Sequence, residues 1–169
     1  AVISAAPAYL TVGARTQLSA AGVSPMGNAT DIPEGASWKV ADESKGTVTA
    51  DGLFTAKALG DVNVDLMLDG VSVGVITLHV VNPTQIYFTR DSIDAVYGVA
   101  KELPLKALYK GKEVAFLESD VVFTMNNADA GVMEGFVFTA SETYAKKSVL
   151  ITASLVSDAG VSASINVSL

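Results

Sequence analysis

Gly46-Thr-Val-Thr-Ala-Asp-Gly-Leu-Phe-Thr-Ala56 decides the fold of this chain, because a degenerate copy follows as Ala130-Gly-Val-Met-Glu-Gly-Phe-Val-Phe-Thr-Ala140. Aligned without gaps, Val48 meets Val132, Phe54 meets Phe138, Thr55 meets Thr139 and Ala56 meets Ala140. Self-similarity at a fixed interval marks one structural unit used twice. The expectation is two domains, residues 1–82 and 83–169, in a chain of 169 residues. Asn82-Pro83 supplies the joint, since the residue before a proline is pushed to extended backbone.

Period two runs through both halves. Asp61-Val-Asn-Val-Asp-Leu-Met-Leu68 places Val62, Val64, Leu66 and Leu68 on one face and Asp61, Asn63, Asp65 and Met67 on the other. A half-buried antiparallel strand requires that alternation. Asp69-Gly70 follows, a pair suited to the positive φ of a tight hairpin, and Val71 to Val81 returns with Leu78 and Val80 on one face. The second half repeats the pattern as Ser148 to Leu155, a turn through Ser157–Gly160, and Val161 to Leu169. Ala8–Val12, Thr16–Ala20 and Ser37–Val40 complete the first unit's short runs. Ser92–Leu108 carries Ile93, Val96, Ala100 and Leu103 at helical steps, yet Gly98 and Pro104 oppose a helix, and strands are expected there too. Many short strands punctuated by turn residues read as β-sandwiches.

Composition removes several functional classes. Half the residues are hydrophobic and 17% are charged, which excludes general disorder. Mean hydropathy is +0.41, but no run approaches the eighteen or so apolar residues of a spanning helix, so membrane insertion is not expected. Ala1 is followed by no basic and apolar leader, as in a mature chain or a cut fragment. The net charge is −7, with 8 acids and 4 bases up to Asn82 and 10 acids and 7 bases after it. Neither half has a basic patch to neutralise phosphates, so nucleic acid is not an expected partner. Cysteine is absent, which removes disulfides, thiolate metal sites and thiol nucleophiles together.

The first unit resembles the bacterial immunoglobulin-like group 2 domain family over roughly residues 8–81. The resemblance is carried by Val12-Gly13, Gln17-Leu18, Ser37-Trp38, the Gly46–Ala56 line, Gly60 and the Val73–Val81 strand. The second unit is similar but divergent, with Tyr97-Gly98 where Val12-Gly13 stood and Val122 in the place of Trp38. What the resemblance implies is an all-β chain of two tandem immunoglobulin-like antiparallel β-sandwiches, with Trp38 in a core position. It also implies an extracellular or cell-surface bacterial setting and a non-catalytic role as spacer, stalk or surface-lattice segment. The other domains of a larger parent chain would then be its partners. An adhesion or carbohydrate-binding module acting mainly through domain two is the alternative, with cell-wall or surface glycan, or a host protein, as partner. The family has no shared catalytic residues to carry over.

Residue chemistry agrees with a non-enzyme. The single histidine, His79, faces away from Leu78 and Val80, on an outer face or near the domain junction, and reads as a surface residue. Asp61 and Asp65 share a polar strand face with Asn63, as solvated acids do, rather than flanking a cleft. No catalytic or cofactor-binding residue is assigned. Calcium takes oxygens from carboxylates, amides and carbonyls in loops, and Glu118, Asp120, Asn126, Asn127 and Asp129 are the candidate metal ligands. Asp91 and Asp94 lie near the linker. Asn and Asp also favour turns for their own hydrogen-bonding reasons, so both readings stay open. Sugars stack on exposed rings, and Tyr87, Tyr97, Tyr109 and Tyr144 are the candidate ligand contacts in domain two. Tyr87 alternates with Ile86 and Phe88, so one of these two sets must face outward.

Overall fold

The structure, a computed structural model, describes residues 1–23, 26, 29–31 and 34–169. The described chain divides into two compact units, Ala1–Asn82 with Lys112–Phe116, and Pro83–Gly111 with Leu117–Leu169. Grouping Lys112–Phe116 with the first unit departs from the single cut expected at Asn82.

In the first unit the strands are β1 (Val2–Ala5), β2 (Tyr9–Leu10), β3 (Arg15–Val23), β4 (Ala29–Thr30), β5 (Ser37–Val40), β6 (Gly46–Val48), β7 (Leu53–Ala56), β8 (Gly60–Leu68) and β9 (Val71–Val80). Then come β10 (Gln85–Phe88), β11 (Ser92–Asp94), β12 (Ala100–Glu102) and β13 (Leu105–Tyr109) of the second unit, followed by β14 (Lys112–Ala115), grouped with the first. The second unit continues with β15 (Val121–Met125), β16 (Gly131–Glu134), β17 (Val137–Ala140), β18 (Ser148–Leu155) and β19 (Ser162–Ser168). Short 3-10 turns occupy Glu118–Asp120 and Ala128–Ala130.

The first unit lays one sheet, β14-β2-β9-β8-β5, over another, β1-β3-β7-β6, with β4 on β3. Its core is made by the residues the alternation picks out: Val62, Val64 and Leu66 from β8, Leu78 and Val80 from β9, and Phe54 and Ala56 from β7. Asp69 (φ 52) and Gly70 (φ 78) form the two-residue turn with positive φ that matches strand twist. Leu68 was expected inward and is only half-buried. The β8–β9 ladder shifts register between Leu66 and Met67, and a bulge breaks strict alternation beyond it.

The second unit carries a four-stranded sheet, β11-β19-β18-β15, a three-stranded sheet, β12-β17-β16, and a β10–β13 ladder. Ile93, Leu103, Phe138, Val149, Ile151, Ile165 and Val167 close its core. Residues 92–108 form strands, not a helix.

The β6–β7 and β16–β17 hairpins correspond, as do β8–β9 and β18–β19, with one correction to the alignment. Gly13 N donates to Ala56 O and Gly98 N to Ala140 O, both at 2.9 Å, so Val12-Gly13 and Tyr97-Gly98 do occupy one place. Phe54 and Phe138 are both wholly buried. However, Gly46 pairs with Ala56 whereas Gly131, not Ala130, pairs with Ala140. The hairpin loop of the second unit is one residue shorter: Glu134 pairs with Val137 around Gly135-Phe136. Gly135 has φ 59, a conformation that glycine supplies cheaply.

Counting back from the turn makes Phe123, not Val122, the counterpart of Trp38. Val122 is 52% exposed, as a one-residue slip would demand, since it flips every side chain to the other face. Trp38 itself is half-buried rather than fully buried. Its indole lies against the Gly52 turn, where a Cβ would sit 2.9 Å from Nε1. Phe123 meets the equivalent turn through an edge contact with Phe136, centroids 5.9 Å apart.

Candidate functional site

The oxygen-rich stretch 118–129 begins with the 3-10 turn after Leu117, whose amide is accepted by Asp120 Oδ2 at 2.8 Å. Asn126 Oδ1 accepts from Leu150 N at 3.0 Å and so extends the β15–β18 ladder past its last pair. Asn127 Oδ1 accepts from Asp129 N at 3.0 Å and caps the second 3-10 turn. These oxygens answer backbone donors, the reason Asn and Asp concentrate in turns. In the first unit the equivalent turn uses Asp42, whose Oδ1 accepts from Ser44 Oγ at 2.5 Å and Ser44 N at 3.0 Å. Those two bonds hold its carboxyl below the usual carboxylate range.

The five candidate ligands are also split in space. Glu118 borders a depression beside Val121, Phe123 and Met133, while Asn127 and Asp129 border another of about 490 Å³ with Ser141, Thr143 and Lys146. Asp91 and Asp94 are exposed at the other side of the sheet, on and next to β11. Among the described residues, no three His, Cys, Asp or Glu side chains gather as a metal site. Thermal melts of the chain in millimolar calcium and in chelator are therefore expected to coincide. A higher melting temperature in calcium would reveal a site, because a ligand that binds the native state stabilises it.

The four tyrosines do not form a platform. Tyr144 is 8% exposed, packs in the second unit's core and donates to Ser148 O at 3.0 Å. Tyr97 is half-buried and donates to Lys146 O at 3.0 Å. Tyr109 is half-buried with Lys110 Nζ 5.3 Å from its ring centroid. Tyr87 is 37% exposed and pairs with Lys106, while Ile86 and Ala107 beside them are buried. Alternation along that ladder puts Tyr109 on the Ile86 face, opposite Tyr87.

His79 stacks on Tyr9 with centroids 4.5 Å apart, and its Nδ1 lies 2.6 Å from Asp61 Oδ1. Both contacts arise from register, since His79 pairs with Tyr9 on one side and Asp61 on the other. Asn63 and Thr77 form the next cross-strand pair at 2.7 Å. This row is a polar ladder on a sheet face, and sequence reasoning located His79 on that outer face without finding its two partners. Among the described residues, no helix is long and apolar enough to cross a membrane.

Residues 2–77 match the family of the bacterial Ig-like domain (group 2). That segment is similar to a group 2 bacterial Ig-like domain. The group 2 match thus covers the first unit's strands β1 to β8 and most of β9, including Trp38 and the Gly46–Ala56 hairpin. No curated protein matches the chain. Among solved structures, domains 4 and 5 of the S-layer protein SbsC are 15% identical, with 90% of this chain and 80% of that one covered and a TM-score of 0.38. The N-terminal part of SbsC is 14% identical, with 100% and 45% covered and a TM-score of 0.46. Invasin, a bacterial integrin-binding protein, is 14% identical, with 98% and 38% covered and a TM-score of 0.39. The first unit and its companion therefore span less than half of the invasin chain and of the SbsC N-terminal part.

Proposed function

We propose that this chain is a non-catalytic structural segment, a stalk or surface-lattice piece, of a larger bacterial cell-surface or secreted protein. The observation that carries the reading is the match of residues 2–77 to the group 2 bacterial Ig-like domain. The fate of the polar side chains that could have done chemistry supports it. Asp42, Asp120, Asn126 and Asn127 each bind a backbone amide of a turn or strand end, and Asp61 pairs with His79 across strands. Groups committed in this way hold turns and strand ends in place.

The test is replacement within the parent protein. Exchanging these residues for an unrelated folded spacer of similar length is expected to leave surface display and parent activity intact. Loss of adhesion that the single substitution Tyr87→Ala reproduces would instead support binding through the second unit. That alternative now rests on Tyr87, the one candidate ring among the four that is exposed.

A further inference from the structure

Strand β15 closes one end of its sheet and pairs only with β18 among the described residues. Asn126 N donates to Leu150 O, and Val156 N donates to Asp120 O. Antiparallel ladders alternate, so Val122 and Thr124 spend their backbone groups on β18, while Phe123 and Met125 turn N–H and C=O toward the open side. Proteins ordinarily blunt such an edge with a charge, a proline or a bulge. In the first unit Lys39 on β5 does so, exposed and one residue after Trp38. Its counterpart in the second unit is the exposed Thr124, and the whole strand Val-Val-Phe-Thr-Met carries no charge.

The open side also leads to a depression of about 330 Å³ between β15 and the β16–β17 hairpin. Val121, Phe123 and Met133 supply its apolar lining, and Glu118 and Ser119 stand at the rim. Glu118 is exposed, and Asp129 lies exposed beyond the other end of the strand. We propose that the β15 edge is a strand-addition site for an extended segment of a partner protein with alternating apolar side chains and flanking Lys or Arg. Main-chain bonds to Phe123 and Met125 would extend the sheet. Side chains on the same face as Phe123 would enter the depression, the division of labour that strand addition uses elsewhere. The flanking acids select the basic partner. They also disfavour a second copy of this chain, because antiparallel pairing of two β15 edges sets Glu118 and Asp120 of one beside Asn126 to Asp129 of the other. The inference stands independently of the spacer role.

The probe is a synthetic heptapeptide that alternates Val and Thr between terminal lysines, titrated into the full isotope-labelled chain. Amide shifts are expected to centre on Phe123, Met125 and Glu118. Exchanging the lysines for glutamates should weaken binding by at least about tenfold, and Glu118→Lys should reverse or level that preference. Methylating every second peptide nitrogen, on the edge-facing side, should also cost at least about tenfold, because it removes the ladder donors and leaves the apolar side chains. Three results would overturn the proposal. They are unmoved β15 amides at millimolar peptide, equal binding of the N-methylated peptide, or a dimer of this chain through β15 that the peptide does not displace.

Discussion

Replacing Phe54 with alanine is expected to cost the first unit about 3–5 kcal/mol, most of the stability of a domain this size. Phe54 is wholly buried on β7, and the residue beneath its ring is Gly46 on β6. A glycine has no side chain to move into the vacated volume, so the cavity cannot collapse from that side and its full penalty remains. Trp38 is the sole tryptophan and belongs to the same unit, so its fluorescence reports the loss in a urea titration. Phe138→Ala should cost a similar amount in the second unit, where the ring packs with Ile93, Leu103, Ile151 and Ile165. Hydrogen exchange of the β18 amides is the suitable readout there. A drop below about 1 kcal/mol in either case would show that these rings are not the packing centres of their units.

Gly131→Ala is expected to be the most damaging substitution that adds a single carbon. A Cβ at Gly131 runs into Thr139 O and lies 2.9 Å from both Ala140 Cα and the Phe138 ring, so two of its three nearest obstacles, including the tightest, are backbone. The residue has φ 160, extended backbone open to any side chain, so the penalty comes from contact and not from dihedral strain. Overpacking of this kind costs about 1–3 kcal/mol, and an unyielding backbone places Gly131→Ala at or above the upper end. Gly46→Ala differs because its main obstacle is the Phe54 ring, with Thr55 O at 3.0 Å. Adding Phe54→Leu should therefore recover much of the Gly46→Ala loss, while Phe138→Leu should recover a smaller share of the Gly131→Ala loss, since the Thr139 O clash remains. Double-mutant cycles on denaturation midpoints measure both couplings. Equal recovery in the two units would contradict the distinction between ring and backbone.

The strands were legible because period two leaves few alternatives where one sheet face is buried. Val62, Val64, Leu66, Leu78 and Val80 all stand where alternation put them, and Asp69-Gly70 makes the turn its composition announces. The missing residue in the second hairpin was not legible. Without a gap Val48 falls opposite Val132 and masks it, although Gly52 then stands opposite Phe136 and Gly135 opposite Asp51, and the strands before the turn are out of step. From that slip came the assignment of Val122 to Trp38's place, on the wrong face of its strand.

Site residues were less legible, and for a different reason. Spacing shows that Asn126, Asn127 and Asp129 are near in sequence but not what each oxygen faces. Asn126 answers Leu150, on another strand, and that partnership exists only once β15 and β18 are in register. Tyr144 lies outside any strand, where no periodicity marks it as buried.

The one-residue difference between the hairpins sets rules for recombining the two copies. A junction in the matched Phe-Thr-Ala segment, from Phe54 directly to Thr139, keeps every later strand in phase. A junction guided by the gapless match, from Lys45 to Ala130, duplicates a position, because Lys45 already holds the place of Ala130: Lys57 N bonds to Lys45 O as Ser141 N bonds to Ala130 O. The strand after such a joint would present its alternate residues to the wrong side. Shuffled libraries of the two units would thus be filtered by phase, with viable products joined after the turn rather than before it.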